Sequence, residues 1–204
     1  MPDRPTDAPS PVPVDNHGAM STPGPDATRQ LWILRHAKAT EATSGVGDRY
    51  RTLAERGRRD AAALGARLAS DHPPFGLPGL VRPDTALCSA AVRTVQTADL
   101  VLAELADRVP LDAYQSLYEA EPDIVLTYVR EVDEHVRSVL VVGHNPTMFH
   151  LAWDLLAEGS EDRSRLEARG FPTCALAVVG LGNDGWEDIA ARQGRLLGLF
   201  TPPY

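Results

Sequence analysis

Cationic side chains and imidazoles follow three short apolar runs of the sequence. Arg35 and His36 come directly after residues 31–34, Arg93 follows residues 85–88, and His144 follows residues 138–142. The runs lack the polar alternation of a half-exposed strand, which predicts strands that are buried on both faces of a parallel or mixed sheet. The carboxyl ends of parallel strands meet at one edge of a sheet, where ligands bind. We therefore expect these four side chains to lie together.

This set of side chains suits the chemistry of a phosphoryl group. Two guanidinium forks and two imidazoles form a cationic pocket that matches the charged tetrahedral oxygens of phosphate. A neutral imidazole in such a pocket can attack phosphorus and carry the group covalently. One Arg-His pair is weak evidence, because a histidine beside a strand is usually a hydrogen-bonded structural residue. The same feature at three strand ends indicates a site.

Helical patterns separate the predicted strands. Thr52 and Glu55 predict a capping box at the start of the first helix, and Pro122 stands where a first helical turn tolerates it. The helical period covers residues 52–70, 90–106, 121–135 and 145–159.

The last part of the chain predicts a hairpin. Residues 173–181 and 186–192 flank a Gly-Asn-Asp-Gly turn, with the second segment as an edge strand. The segments 40–50, 72–82 and 160–172 are predicted to be rim loops. The fold class predicted is α/β: a three-layer α/β/α sandwich with a mostly parallel central sheet and a C-terminal antiparallel edge hairpin.

Composition is that of a globular protein. The 204 residues are 43% hydrophobic and 24% charged, and no apolar run approaches the roughly 20 residues of a membrane helix. Residues 1–29 hold seven of the 17 prolines, which predicts a disordered tail before one domain over residues 30–204. The tail lacks a signal-peptide pattern, which predicts a cytoplasmic protein. The net charge of -8 argues against nucleic acid or membrane partners.

Metal and redox chemistry are not expected. Cys88 and Cys174 stand inside apolar runs, which predicts two buried thiols rather than a disulfide or a Cys-based metal site. His36 and His144 lack the spacing of a zinc-binding helix, and no carboxylate ends a third strand. The sequence therefore predicts an enzyme without a metal or other cofactor.

Three segments together resemble the histidine phosphatase superfamily, and specifically its SixA-type phosphohistidine phosphatases. They are LRHAKA at 34–39, CSAAVRTVQTA at 88–98 and VVGHNPT at 141–147. The likeness extends to DRYRTLAERGRRDA at 48–61 and LYEAEP at 117–122, and so covers most of residues 30–195. The resemblance implies a phosphoglycerate mutase-like fold.

The resemblance also implies a role for each residue of the predicted site. His36 is implied to be the nucleophile that forms a phosphohistidine intermediate, with Arg35, Arg93 and His144 binding phosphoryl oxygens. Glu119 matches the position of the carboxylic acid that protonates an alcohol leaving group in other members. Its neighbour Glu121 is the competing candidate, and a charge near a helix N-terminus is the alternative explanation of Glu119.

Two further cations have weaker assignments. Lys38 replaces the acidic or amide residue that larger members often carry, and it is predicted to add positive charge at the rim of the phosphate site or else to be a solvated loop side chain. Arg51 belongs to a stretch typical of the SixA-like branch, but arginines in such charged segments usually form solvated faces. We therefore do not assign Arg51 to the site.

The function predicted is that of a phosphatase that works through a covalent phosphohistidine. The predicted substrate is a phosphohistidine protein or a small phosphorylated ligand. The alternatives are a regulatory module that binds a phosphoryl group without turnover and a phosphomutase. A mutase needs a pocket that excludes water, for which the chain is short.

Overall fold

The computed structural model describes residues 29–204, apart from residues 43, 46, 71–73, 106–107 and 183–184, and a six-stranded mixed sheet forms the centre of this part. The strand order is β3-β2-β4-β1-β5-β6, in which the first four strands are parallel to one another and β5 pairs antiparallel with both β1 and β6. The strands are β1 (Gln30–Arg35), β2 (Thr85–Ser89), β3 (Leu111–Tyr114), β4 (Ser138–Gly143), β5 (Leu176–Gly180) and β6 (Arg195–Phe200).

Parallel pairing brings the predicted strand ends to one edge. β4 lies between β1 and β2, with Arg35 opposite Gly143 and Cys88 opposite Val142. The residues that follow β1, β2 and β4 therefore leave the sheet side by side. The three strands predicted from the apolar runs are confirmed.

Helices cover both faces of the sheet. The helices are α1 (Glu55–Ser70), α2 (Val92–Leu102), α3 (Pro122–Arg130), α4 (Thr147–Leu155) and α5 (Glu161–Arg169). Successive strand residues point to opposite faces, so that Ile33 packs in one apolar cluster with residues of α3, α4 and α5, whereas Trp32 packs in a second with residues of α1 and α2. The three-layer α/β/α sandwich with an antiparallel edge is confirmed.

The predicted start of the first helix is wrong. α1 begins at Glu55, because Leu53 pairs with Ala39 in an antiparallel bridge and so keeps the preceding residues extended. The helix start is instead packed tightly on the loop after β1: a Cβ on Gly57 would lie 2.1 Å from the Lys38 carbonyl oxygen. This contact fixes the loop that carries His36.

The C-terminal prediction is wrong in its second half. Residues Trp186–Asp188 form a 3-10 helix, and the antiparallel partner of β5 is β6. Trp186 is buried and its indole N–H donates to the Val136 carbonyl oxygen at 2.7 Å. This packing holds residues Trp186–Asp188 away from the sheet edge.

A predicted rim loop contains a helix. The segment 160–172 holds α5, whose N-cap Ser160 accepts a hydrogen bond from the Arg163 N–H at 3.4 Å. Only Leu166 of this helix is buried, so its sequence lacks the apolar periodicity that marks the other helices.

Three other expectations have different outcomes. Both cysteines are buried free thiols, as predicted, and burial raises the pKa of each to about 12. The predicted tail, residues 1–29, lies outside the described residues except for Arg29, so the disordered tail and the domain boundary stay predictions. Among the described residues, none of the helices has the length and apolar character needed to cross a bilayer.

Candidate active site

The carboxyl ends of β1, β2 and β4 bring two imidazoles and a guanidinium together. The ring centroids of His36 and His144 lie 5.1 Å apart, with the rings edge to face. Arg93 Nη2 lies 3.3 Å from His144 Nδ1. The backbone N–H of His36 donates to the Gly143 carbonyl oxygen at 3.0 Å, which ties the residue after β1 to the end of β4.

His36 presents a nitrogen lone pair. Its Nδ1 lies 2.8 Å from the Ala37 carbonyl oxygen, and a carbonyl only accepts hydrogen bonds, so Nδ1 carries the proton. Nε2 then holds a free lone pair, and it has no hydrogen bond to the described residues. Burial, together with the charges of Arg93 and Arg35 and against the opposing hydrogen bond to Ala37, lowers the pKa of His36 to about 4. The imidazole is neutral at neutral pH.

The depressed pKa of His36 gives a direct spectroscopic prediction. In a pH titration followed by NMR, the His36 ring signals should hold constant from about pH 8 to about pH 5 and titrate near the pKa of about 4. The pKa is lowered, not raised, because desolvation disfavours the charged imidazolium. The His36→Ala spectrum assigns the signals. A midpoint at the ordinary value of about 6.5 would contradict this electrostatic account.

His144 is held between Ser89 and Arg93. Arg93 can only donate, so His144 Nδ1 accepts its N–H, and His144 Nε2 donates to Ser89 Oγ at 2.9 Å. Burial, together with the nearby His36 and Arg93, lowers the pKa of His144 to about 3. Ser89 is fully buried, so this contact fixes the orientation of the ring, whereas the Arg93 N–H fixes its tautomer.

Arg93 is the buried cation at the centre of the cluster. Its side chain is 8% exposed. Nη1 donates to the Asp48 backbone oxygen at 2.7 Å, and Nη2 donates to Asp48 Oδ2 at 2.9 Å. Together with the contact to His144, these bonds use three of the five N–H groups of the guanidinium. The other two N–H groups have no hydrogen-bond partner among the described residues.

Arg35 adds positive potential beside both imidazoles. It lowers the pKa of His36 and of His144 through its charge. Its Nη1 donates to the Phe171 carbonyl oxygen at 2.8 Å, whereas its buried Nε has no hydrogen-bond partner among the described residues. Asn145 Nδ2 donates to the same carbonyl at 3.0 Å. Arg35 is thus anchored at one nitrogen and has a donor left over.

A carboxylate that the sequence did not indicate lies in the cluster. Asp48 Oδ2 accepts hydrogen bonds from Arg93 Nη2 and, at 2.6 Å, from the Tyr118 hydroxyl. Asp48 Oδ1 accepts one from Arg51 Nη1 at 2.6 Å. The hydrogen bond from Tyr118 and then that from Arg51 hold the pKa of Asp48 well below its usual range.

Arg51 is not the solvated side chain that its charged segment predicted. Its side chain is 23% exposed, and besides Asp48 it contacts the Thr40 carbonyl oxygen, to which Nε donates at 2.8 Å. It also lowers the pKa of His36 through its charge.

The weaker candidates lie outside this hydrogen-bonded group. Glu119 is exposed next to Tyr118 and has no hydrogen bond or ion pair within the described part of the chain. Glu121 is the N-cap residue of α3 and its side chain makes no capping bond. Lys38 is 49% exposed and its Nζ lies 3.5 Å from Glu41 Oε1. The acid role of Glu119 and the rim role of Lys38 stay predictions.

The remaining histidines and carboxylates do not form a metal cluster within the described residues. No group of three or more His, Cys, Asp or Glu side chains there has the geometry to hold a metal ion. His150 is exposed on α4 and its ring contacts Phe149.

Ser89, Asp48 and Tyr118 were missed for different reasons. Ser89 is the last residue of β2, so the rule that ligands bind at strand ends could have found it. Asp48 and Tyr118 reach the cluster from separate 3-10 turns, at Asp48–Tyr50 and just after Gln115–Leu117. Their contact depends on tertiary packing that no local pattern encodes.

The comparisons with known proteins agree with this geometry. A sequence model of the histidine phosphatase superfamily (branch 1) matches residues 31–125. The chain is 33% identical over 171 residues to the uncharacterized protein Rv1276c of Mycobacterium tuberculosis, which covers 83% of this chain and 99% of that protein.

Solved structures give the branch and the fold. Two are provisionally assigned as the phosphohistidine phosphatase SixA. The Nakamurella multipartitia structure is 29% identical with a TM-score of 0.73, covering 89% of this chain and 100% of that one. The Agrobacterium tumefaciens structure is 30% identical with a TM-score of 0.68, covering 85% and 98%.

A more distant structure bears on the fold alone. A phosphoglycerate mutase of Plasmodium falciparum is 14% identical with a TM-score of 0.53, covering 83% of this chain and 89% of that one, which confirms the phosphoglycerate mutase-like fold. The sequence similarity over most of the chain and the shared fold lead to one conclusion. The chain belongs to the histidine phosphatase superfamily, in its SixA-like branch of phosphatases.

Proposed function

We propose that this phosphatase transfers the phosphoryl group of its substrate to His36 and then to water, without a metal or other cofactor. The observation that carries the proposal is the neutral imidazole of His36, whose Nε2 is free while Nδ1 is held by the Ala37 carbonyl. A lone pair among cationic groups is what nucleophilic attack on a phosphate dianion requires.

The proposed reaction has two steps. Nε2 of His36 forms a bond to phosphorus while the bond from phosphorus to the leaving group breaks and its electron pair goes with that group. The phosphorylated ring keeps its Nδ1 proton, which stays hydrogen-bonded to the Ala37 carbonyl oxygen. Water then attacks phosphorus, the N–P bond breaks, and the pair returns to Nε2. Both protons of the water leave on dihydrogen phosphate.

Arg35, Arg93 and His144 are proposed to bind the phosphoryl oxygens. Arg93 has two N–H groups left over, and Arg35 has the unpartnered Nε. Fixed donors of this kind stabilise the charge that develops in transfer. A bound dianion offsets the nearby guanidinium charges and favours protonation of His144 at Nδ1, which then releases the Arg93 N–H and donates to a phosphoryl oxygen.

The substrate we propose is a phosphohistidine in a protein or another small phosphorylated ligand. The SixA assignment of the two solved relatives supports the first. The exposed position of Glu119 also supports it, because an alcohol leaving group needs a proton donor in contact with the site, whereas an imidazole accepts a proton near neutral pH.

The test is hydrolysis of p-nitrophenyl phosphate by the purified chain. We expect release of inorganic phosphate that persists in an excess of chelator, because the described site holds the phosphoryl group with side chains. Activity that needed added metal would contradict the proposal. Binding of phosphate without turnover would favour a regulatory module, and transfer to an added alcohol in place of water would favour a mutase. A panel with phosphohistidine protein and sugar phosphates ranks the substrates.

A further inference from the structure

The Asp48 carboxylate stands among the cations that the proposed function assigns to a phosphate dianion. A carboxylate at this position repels a phosphate dianion and weakens its binding. Its presence is explained if Asp48 favours the reaction in another way. The carboxylate is held by three donors: Arg93 at 2.9 Å and Tyr118 at 2.6 Å from distant segments, and Arg51 at 2.6 Å from three residues along the chain. Three hydrogen bonds therefore fix the Asp48 carboxylate within the site.

Asp48 is poorly suited to act as an acid and well suited to act as an acceptor. Hydrogen bonds from Tyr118 and Arg51 hold its pKa well below the usual range, so the group is a carboxylate at neutral pH. Two carboxylate oxygens offer about four lone-pair positions. Oδ2 accepts two bonds and Oδ1 accepts one, which leaves a position on Oδ1. The side chain is 49% exposed, so a ligand can reach it.

The proton balance of the first step depends on the leaving group. When His36 attacks an alkyl phosphate, the P–O bond breaks to give an alkoxide, which needs a proton from an acid. A phosphoramidate or a protonated phosphohistidine already carries that proton on nitrogen, and the P–N bond breaks to give neutral ammonia or imidazole. Of the described carboxyl groups, only Asp48 is hydrogen-bonded to the cluster, and it is ionised.

We propose that Asp48 is a specificity-determining residue that favours phosphoryl donors with a protonated nitrogen leaving group over phosphate esters of alcohols. Oδ1 accepts a hydrogen bond from the leaving group's N–H and stabilises its positive charge before the P–N bond breaks. The inference rests on the proposed function and adds to it the group that selects the bond to be cleaved. Asp48 also orients Arg93, and the test must separate the two effects.

The test compares two small substrates in three forms of the full chain. Phosphoramidate has an N–H leaving group, whereas p-nitrophenyl phosphate has neither an N–H nor a need for an acid. The readout is the ratio of kcat/KM for phosphoramidate to kcat/KM for p-nitrophenyl phosphate, because kcat/KM reports the transfer to His36. Asp48→Asn keeps the shape and removes the charge, and it should lower this ratio about 10-fold or more. A fall in kcat/KM that is equal for both substrates reports the effect of Asp48 on the position of Arg93.

Tyr118→Phe is the matched control. It removes one hydrogen bond to Asp48 but keeps the carboxylate, so the ratio should change by less than about 3-fold even if both rates fall. Asp48→Ser repeats the comparison if Asp48→Asn does not fold. An unchanged or higher ratio in both Asp48 variants would overturn the inference and leave the proposed function standing. If the wild-type chain hydrolysed neither substrate, both would fall together.

Discussion

Replacing His36 with alanine is expected to lower kcat for p-nitrophenyl phosphate by on the order of 10⁴-fold or more. The variant lacks the nitrogen that is proposed to bond to phosphorus, while the proposed phosphoryl-binding side chains of Arg35, Arg93 and His144 stay in place. Binding of inorganic phosphate should therefore persist although turnover is lost. Stopped assays of phosphate release measure the first effect, and calorimetry of phosphate binding measures the second.

His150→Ala is the control for this substitution. It also replaces a histidine with alanine, but at an exposed position of α4 where the ring contacts Phe149. Its kcat should stay within about 2-fold of the wild type. If His36→Ala kept a tenth of the wild-type activity, His36 would not be the nucleophile.

The second large effect is expected at Arg93. Arg93→Ala should lower kcat/KM by about 10²- to 10³-fold, because it removes the cation that contacts His144 and two N–H donors that have no partner among the described residues. Arg93→Lys keeps the charge but loses the planar fork, and it should still lose about 10-fold or more. Steady-state kinetics of both variants with p-nitrophenyl phosphate gives the comparison.

Arg59→Ala controls for the loss of a positive charge. Arg59 lies on α1, its side chain is 66% exposed, and it pairs with Glu55, so its removal should have little effect on the rate. Full activity of Arg93→Lys would show that only the charge at this position matters. Full activity of Arg93→Ala would remove Arg93 from the site altogether.

The strands that carry the site could be predicted because their sequence pattern is local. A strand buried on both faces is a short apolar run, and the first polar residues after it must emerge at the sheet edge. This explains why Arg35, His36 and His144 could be placed together from sequence. β3 and α5 could not be predicted from sequence because they are mostly exposed. Only Leu166 of α5 is buried, and β3 has no buried residue.

The electrostatic character of the site could not be predicted in the same way. The neutral state of His36 depends on burial and on charges from Arg93, Arg35 and Arg51. The reading of Arg51 as solvated failed because its partners, Asp48 and the Thr40 carbonyl, are set by how the loop after β1 folds back. The role of Asp48 could not be predicted either, because its contacts with Arg93 and Tyr118 join distant parts of the chain.

The most direct test of the central claim is to trap the phosphoenzyme. The wild-type chain is mixed with phosphoramidate, quenched at alkaline pH to preserve an N–P bond, and analysed by peptide mass spectrometry. We expect one added phosphoryl group on the peptide that contains His36, and none on the same peptide of His36→Ala. A phosphoryl group on another residue, or turnover with no phosphorylated peptide under conditions that preserve a phosphohistidine standard, would contradict the account.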